Sequence, residues 1–200
     1  HRHSSAASDV YKRQDIDIIF CFDPRPNAFG EDIGHLYAYR ETSPKTKIIQ
    51  RVGDLGTHSK PQLTDLVRYC LDKSDHFIFP SQWSKEWIGF KGENCDVIDN
   101  APMEIFYDNR NTNLQLGNQV RVVTHHWSTN PKKGFDVYQK FEEWCKDKNI
   151  SFHYIGQLPA GVEFSNRTKP ISAEDLSKEL PKYDIYLTAS EEEAGANHVL

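Results

Sequence analysis

The feature that most constrains this chain is a repeated exchange of period. Short apolar runs of strand length alternate with segments whose apolar residues recur at helical spacing. "DIDIIFCF" (15–22) is a continuous apolar run closed by "DPRPN". "KIIQRVG" (47–53), "HFIFP" (76–80) and "CDVIDNAP" (95–102) repeat the type. Between them, "QLTDLVRYCLDKS" (62–74) carries Leu63, Leu66, Val67, Cys70 and Leu71 at helical spacing, and Pro61 stands near its start. Ser81 reads as an N-cap for "QWSKEWIGF". Runs apolar on both faces suit a parallel sheet covered on both sides, and the alternation implies βαβ units.

A polar, Asn-rich stretch, "DNRNTNLQLGN" (108–118), then interrupts the pattern, which restarts with "QVRVVTHH" (119–126). "FDVYQKFEEWCKDK" (135–148) is amphipathic through Phe135, Val137, Tyr138, Phe141, Trp144 and Cys145. "SFHYIG" (151–156) is a strand. "SAEDLSKELPKY" (172–183) opens on a capping signature at Ser172 and Asp175 and is stopped by Pro181. "DIYLTAS" (184–190) is a further strand, after which a helix is expected to open. The division that follows is α/β throughout: a non-native or disordered lead over 1–14, a first Rossmann-like domain over 15–107, a linker over 108–118 and a second Rossmann-like domain over 119–200. The tryptophans Trp83, Trp87 and Trp144 fall on predicted helices and are expected in the cores. The loop "DPRPNAFGEDIGH" (23–35) also follows a strand, and its Pro and Gly content fits a mobile loop or an ordinary connection.

Composition narrows the function classes. A net charge of −5 with scattered lysines and arginines gives no nucleic-acid or membrane patch. No apolar run approaches the roughly 20 residues of a membrane-crossing helix, and no secretory signal is read, so a cytoplasmic setting is expected. Four separated cysteines form no Cys-x-x-Cys pair and read as small buried thiols. His125 and His126 are adjacent, so on a strand they point to opposite faces; with no third ligand at useful spacing, no metal site is expected.

Two loops at strand carboxyl ends carry the chemistry. "EEEAGANHVL" follows the last strand: Ala194, Gly195 and Ala196 let a ligand approach the backbone, and amides near Asn197 and His198 would open a helix whose positive end attracts phosphate. Glu193 beside them can accept hydrogen bonds from sugar hydroxyls. Read alone, the triplet is also a solvated acidic loop. "THHWSTNPKKGF" follows the first strand of the second domain, and its lysine before Gly134 can pair with a diphosphate as a point charge.

Taken in order, these stretches resemble the family 4 retaining glycosyltransferases, which have the two-domain GT-B fold. The matching residues are Lys133-Gly134, "FHYIG" ending at Gly156, "DIYLTAS" ending at Ser190, and Glu193 followed by "AGANHVL", with "HFIFPSQWSKEW" and "VIDNAPMEIF" in the first half. The second glutamate of the family's Glu-x7-Glu motif would follow Leu200, so the chain is expected to be truncated at both ends and the fragment inactive in isolation. The resemblance implies transfer of a sugar from a nucleoside-diphosphate sugar to an acceptor hydroxyl with retention, with no metal or other cofactor. Lys133 would contact the diphosphate, Glu193 would hold the donor sugar, and Gly195, Ala196, Asn197 and His198 would supply amides. Members commonly place an Arg shortly before the Lys; here His126 or Ser128 stands near that place. On the acceptor side, Asp54 or His58 could orient a hydroxyl or act as a base; the other reading is a structural loop in which Asp54 binds backbone amides. Implied partners are a nucleotide sugar and a saccharide, lipid-linked or polymer acceptor, with a peripheral position at the inner membrane face left open and nucleic acid not expected. Two other readings remain: a nucleotide-dependent epimerase or dehydrogenase, for which no Gly-x-Gly-x-x-Gly is found, and a non-catalytic glycan-binding protein derived from the fold.

Overall fold

The computed structural model describes residues 16–113 and 115–195. The chain forms two compact α/β units, 1–99 and 100–200, each built on a four-stranded, wholly parallel sheet.

In the first unit the strands are β1 (Ile18–Cys21), β2 (Lys47–Arg51), β3 (His76–Phe79) and β4 (Cys95–Val97), joined through helices α1 (Ile33–Thr42), α2 (Pro61–Cys70) and α3 (Gln82–Ile88). The order β1-β2-β3-β4 runs in one direction. Right-handed crossovers between strands added always on the same side put their helices on one face. The register shows the consequence. Cys21, Gln50 and Phe77 lie in one cross-strand row and are buried, as are Val67 and Cys70 of α2. Ile18 and Phe20, which point the other way on β1, are exposed.

Helix α1 lies where the sequence suggested a loop through residue 35. Its signal is local. Asp32 accepts from the amides of Gly34 (2.9 Å) and His35 (3.4 Å), and the His35 ring closes a capping box usually completed by Glu or Gln. Only Ile33 and Tyr37 of this helix are buried, so its apolar stripe is one turn long and its periodicity weak.

The second unit contains α4 (Glu104–Asp108), β5 (Val120–His126), a 3-10 turn at Pro131–Lys133, α5 (Phe135–Cys145), β6 (Ile150–Gly156), β7 (Arg167–Thr168), α6 (Ala173–Glu179) and β8 (Ile185–Tyr186). Its strand order is β7-β6-β5-β8. The chain adds β6 and β7 on one side of β5, then crosses back to add β8 on the other. That reversal places α5 and α6 on opposite faces. On one face Val122, Phe135, Tyr138, Phe152 and Tyr154 form the core. On the other, Val123 and Ile155 pack with Leu176, with Phe106 of α4 against them. Residues 122 to 124 are therefore buried consecutively, as expected of a strand covered on both sides.

Helix α4 also shows where the units divide in sequence. Phe106 packs on the second core, and Asn109 Nδ2 donates to Ser177 Oγ of α6 at 2.9 Å. Residues 100–107, grouped with the first domain by sequence, thus make their contacts in the second unit.

The tryptophans differ from expectation. Trp83 is 37% and Trp144 51% exposed. Each lies at the flank of its helix, packed by neighbours along the surface: Trp83 on Trp87 (ring centroids 6.0 Å apart) and Trp144 under the Lys148 ammonium (4.3 Å). Indole needs only one face covered to be satisfied, so helical spacing alone does not force it inward. Val137, counted in the apolar stripe of α5, is likewise exposed.

Asp75 ties the first sheet together. Its Oδ2 accepts from the Ile48 amide (2.9 Å) and Arg40 (3.1 Å), and its Oδ1 from Lys47 (3.0 Å). Burial works to raise its pKa, but the Ile48 amide and the two cations outweigh it and hold the carboxyl below its usual range. A lowered folded pKa contributes stability that is complete above the unfolded value, about 3.9, and is lost as pH falls through the folded one. Asp75→Asn should therefore lower the urea midpoint of the first unit at pH 7. The gap from wild type should close below about pH 4, as followed through the NMR amide signals of β2 and β3.

Candidate functional site

In a doubly wound sheet the crevice for ligands lies beyond the strand carboxyl ends, where the order reverses. In the second unit that point falls between β5 and β8. Two loops meet there: 127–134 after β5 and 187–195 after β8.

The first loop is built from local turns. Ser128 Oγ accepts from the Asn130 amide (3.1 Å), and Asn130 Oδ1 accepts from the Lys132 amide (3.0 Å), which caps the 3-10 turn. Pro131 starts that turn, and Gly134 ends it in the left-handed conformation, with φ of 81°. A Cβ on Gly134 would stand 2.5 Å from the Ala189 carbonyl oxygen, so the glycine lets the second loop close onto the entrance of α5. At the end of β6, Gly156 meets β5 in the same way: a Cβ there would lie 2.0 Å from the His126 carbonyl. Both glycines of the motif are thus required by backbone approach within the unit.

The second loop is pinned to β5, to α5 and to the first loop. The Leu187 amide donates to Val123 O (2.8 Å), Ala189 to the Tyr138 hydroxyl (2.8 Å) and Glu191 to Lys132 O (2.9 Å). Asn100 Nδ2 donates to Gly195 O at 3.3 Å. Glu192 takes φ of 54°, a left-handed setting that costs a non-glycine residue on the order of 1 kcal/mol. The turn sets successive carboxylates against successive cations: Glu192 pairs with Lys132 and Glu193 with Lys133. The second pair is the more enclosed, its side chains only 13% and 20% exposed. Ser190 Oγ is buried in this loop without a hydrogen-bond partner among the described residues.

The site residues inferred from sequence are distributed as follows. Lys133 and Glu193 come together, and Gly134 lies against Ala189 of the second loop; Gly195 belongs to that loop, where its carbonyl accepts from Asn100 Nδ2. Ala196, Asn197 and His198 lie outside the described residues. Ser128 sits in the first loop, exposed, its oxygen engaged in the turn. His126 is placed differently from the phosphate contact suggested for it. It is 3% exposed, and Nε2 lies 2.9 Å from the Tyr138 hydroxyl. The ring points into the α5 core because residue 126 shares the face of Val122 and Thr124. His125, one residue earlier, turns to the other face and meets the Tyr186 hydroxyl at 3.1 Å. That face opens a cavity of 720 Å³ lined by Phe106, Val123, Trp127, Leu176 and Tyr186 among others, and neither Lys133 nor Glu193 reaches it.

In the first unit, Asp54 accepts from the Gly56 amide (2.9 Å) and from Lys60 (2.7 Å). Burial opposes its charge, but the Lys60 ammonium and that amide outweigh it and depress its pKa. These contacts match the structural-loop reading, and a depressed pKa makes a weak base. His58 lies in the following turn.

Two participants escaped the sequence reading. Of the pair Lys132-Lys133 the sequence assigns a role to Lys133 alone, although Asn130-Pro131 ahead of it signals the turn that aims both side chains. Tyr138 was counted as core, and nothing in its helical spacing reveals that its hydroxyl meets residue 189.

No protein-family model matches the chain, and no curated protein sequence matches it. Among solved structures, the crystal structure of TarM is similar, with a TM-score of 0.61 at 16% identity over 90% of this chain and 38% of that one. A mutant of S. aureus TarM in complex with fondaparinux, alpha-GlcNAc-glycerol and UDP is similar as well, with a TM-score of 0.58 at 14% identity over 89% of this chain and 38% of that one. The shared feature is the fold: two parallel, Rossmann-like α/β units. The chain spans 38% of the length of these structures.

The glycine at 134 gives a direct check of the loop contact. Gly134→Ala should cost about 1–3 kcal/mol, read as a lowered urea midpoint. Gly117→Ala, whose nearest neighbour to an added Cβ is 4.0 Å away, should stay within about 0.5 kcal/mol of wild type.

Proposed function

We propose that this chain is part of a glycosyltransferase that moves a sugar from a nucleoside-diphosphate donor to an acceptor hydroxyl, with retention and without a metal. The observation that carries the reading is the meeting of Lys133 with Glu193. They lie 60 positions apart in sequence and are brought side by side at the point where the strand order reverses. The resemblance of the sequence motifs to family 4 glycosyltransferases and the fold shared with TarM support it. The TarM complex contains UDP, which makes a uridine nucleotide the first donor to test here.

The chemistry follows from the charges. The costly event is departure of the nucleoside diphosphate, and fixed positive charge against the leaving oxygens lowers that barrier. Lys133 supplies one cation. Lys132 supplies a second, in place of the guanidinium that the motif usually carries, although an ammonium binds phosphate as a point charge rather than as a fork. Each lysine is matched by a glutamate. An arriving diphosphate takes the ammonium, and Glu193 is released to accept hydrogen bonds from the donor sugar. Charged acceptors make such bonds roughly twice as strong as neutral ones. The acceptor class we propose is a saccharide, free, lipid-linked or polymeric, and the work is assigned to the cytoplasm.

Calorimetric titration of the 200-residue chain with UDP should give saturable binding, weakened by added salt. UMP, which lacks the second phosphate, should bind less tightly. Lys133→Met should reduce UDP affinity about tenfold or more, the equivalent of one charge-assisted hydrogen bond. UDP affinity unchanged in Lys133→Met would remove the basis of the proposal.

A further inference from the structure

We propose that Tyr138 is a positioning residue for the donor site, holding the glutamate-bearing loop in place through its hydroxyl and giving His126 its role through the same atom. This rests on the donor-site reading above. Tyr138 is fully buried and stands one helical turn into α5 from Gly134, whose carbonyl accepts its amide at 3.1 Å. Its oxygen lies 2.8 Å from the Ala189 amide and 2.9 Å from His126 Nε2. One hydroxyl therefore links the last residue of β5 to the loop after β8, the two strands that flank the reversal.

Two neighbouring hydrogen bonds of this segment are of a different kind. Leu187 to Val123 O on β5 and Glu191 to Lys132 O on the first loop are backbone bonds that most sequences could form. The bond between them depends on a side chain. Ala189 packs against the α5 core, so without the hydroxyl its amide would face apolar surface unpaired. A buried donor left unmade is costly, and the loop's natural response is to move outward until water reaches it. Glu191 to Glu193 follow directly, and with them the partners of Lys132 and Lys133. The ring itself is held by His126 (centroids 5.5 Å apart) and Phe152 (6.1 Å). Phenylalanine would keep that packing and lose only the bridge.

The test compares two variants of the chain. Tyr138→Phe removes the hydroxyl and keeps the ring. Phe152→Leu removes packing from the same core and leaves the bridge intact. Hydrogen exchange read by NMR should show the Ala189 and Glu191 amides of Tyr138→Phe exchanging about tenfold faster relative to the Val123 amide, and UDP affinity falling about tenfold. Phe152→Leu should accelerate all core amides together and leave UDP affinity within about twofold. The proposal is overturned if Ala189 in Tyr138→Phe keeps pace with Val123, or if Phe152→Leu weakens UDP binding equally. If the wild-type chain does not bind UDP, the donor reading falls by itself, and the exchange ratio still decides whether Tyr138 anchors the loop.

Discussion

Everything in the second unit turns on β5. It is paired on both edges, by β6 and β8, and covered on both faces, by α5 and α6. A strand so enclosed buries consecutive residues, Val122 to Thr124, and must end where its neighbours leave room. Gly156 provides that room on one side, since no Cβ could stand against the His126 carbonyl. On the other side Gly134 allows the loop after β8 to approach. The site at the carboxyl end is a consequence of how β5 is packed rather than an addition to it.

The charges at that end add little to stability. The Lys132–Glu192 pair is more than a third exposed, and such pairs contribute under about 1 kcal/mol. The Lys133–Glu193 pair is more enclosed, where attraction rises but the loss of hydration rises with it. What the two pairs achieve is poise. Two ammonium groups and two carboxylates are held within one loop contact, close to neutral overall; in the function proposed above, an incoming anion exchanges places with a carboxylate without exposing a bare charge. The positive φ at Glu192 and the Ser190 hydroxyl, which has no partner among the described residues, are both small strains in the same loop.

The sequence was readable wherever one residue type had one reason to be where it is. The segments 47–53 and 119–126 read as strands and form β2 and β5, and Ser81 and Ser172 cap helices as read. Reading failed where a residue had two ways to be satisfied. Indole at Trp144 can lie flat on a surface under a lysine. Helix α1 buries only two side chains, too few to set a period, and its cap uses a histidine. Residues 100–107 could have belonged to either unit, because which core Phe106 joins depends on a contact with Leu176 and its neighbours, some seventy positions away.

By itself the sequence determined the α/β alternation, the parallel sheets and the two glycines beside β5, because burial on both faces and close backbone approach leave narrow choices at each position. It also placed Lys133 after β5 and Glu193 after β8. Only the tertiary structure decided that Lys132 joins Lys133, that His126 turns inward, and that the Tyr138 hydroxyl spans the reversal to residue 189. Those outcomes depend on distances between segments up to 60 positions apart, and neither period nor propensity carries information over such separations.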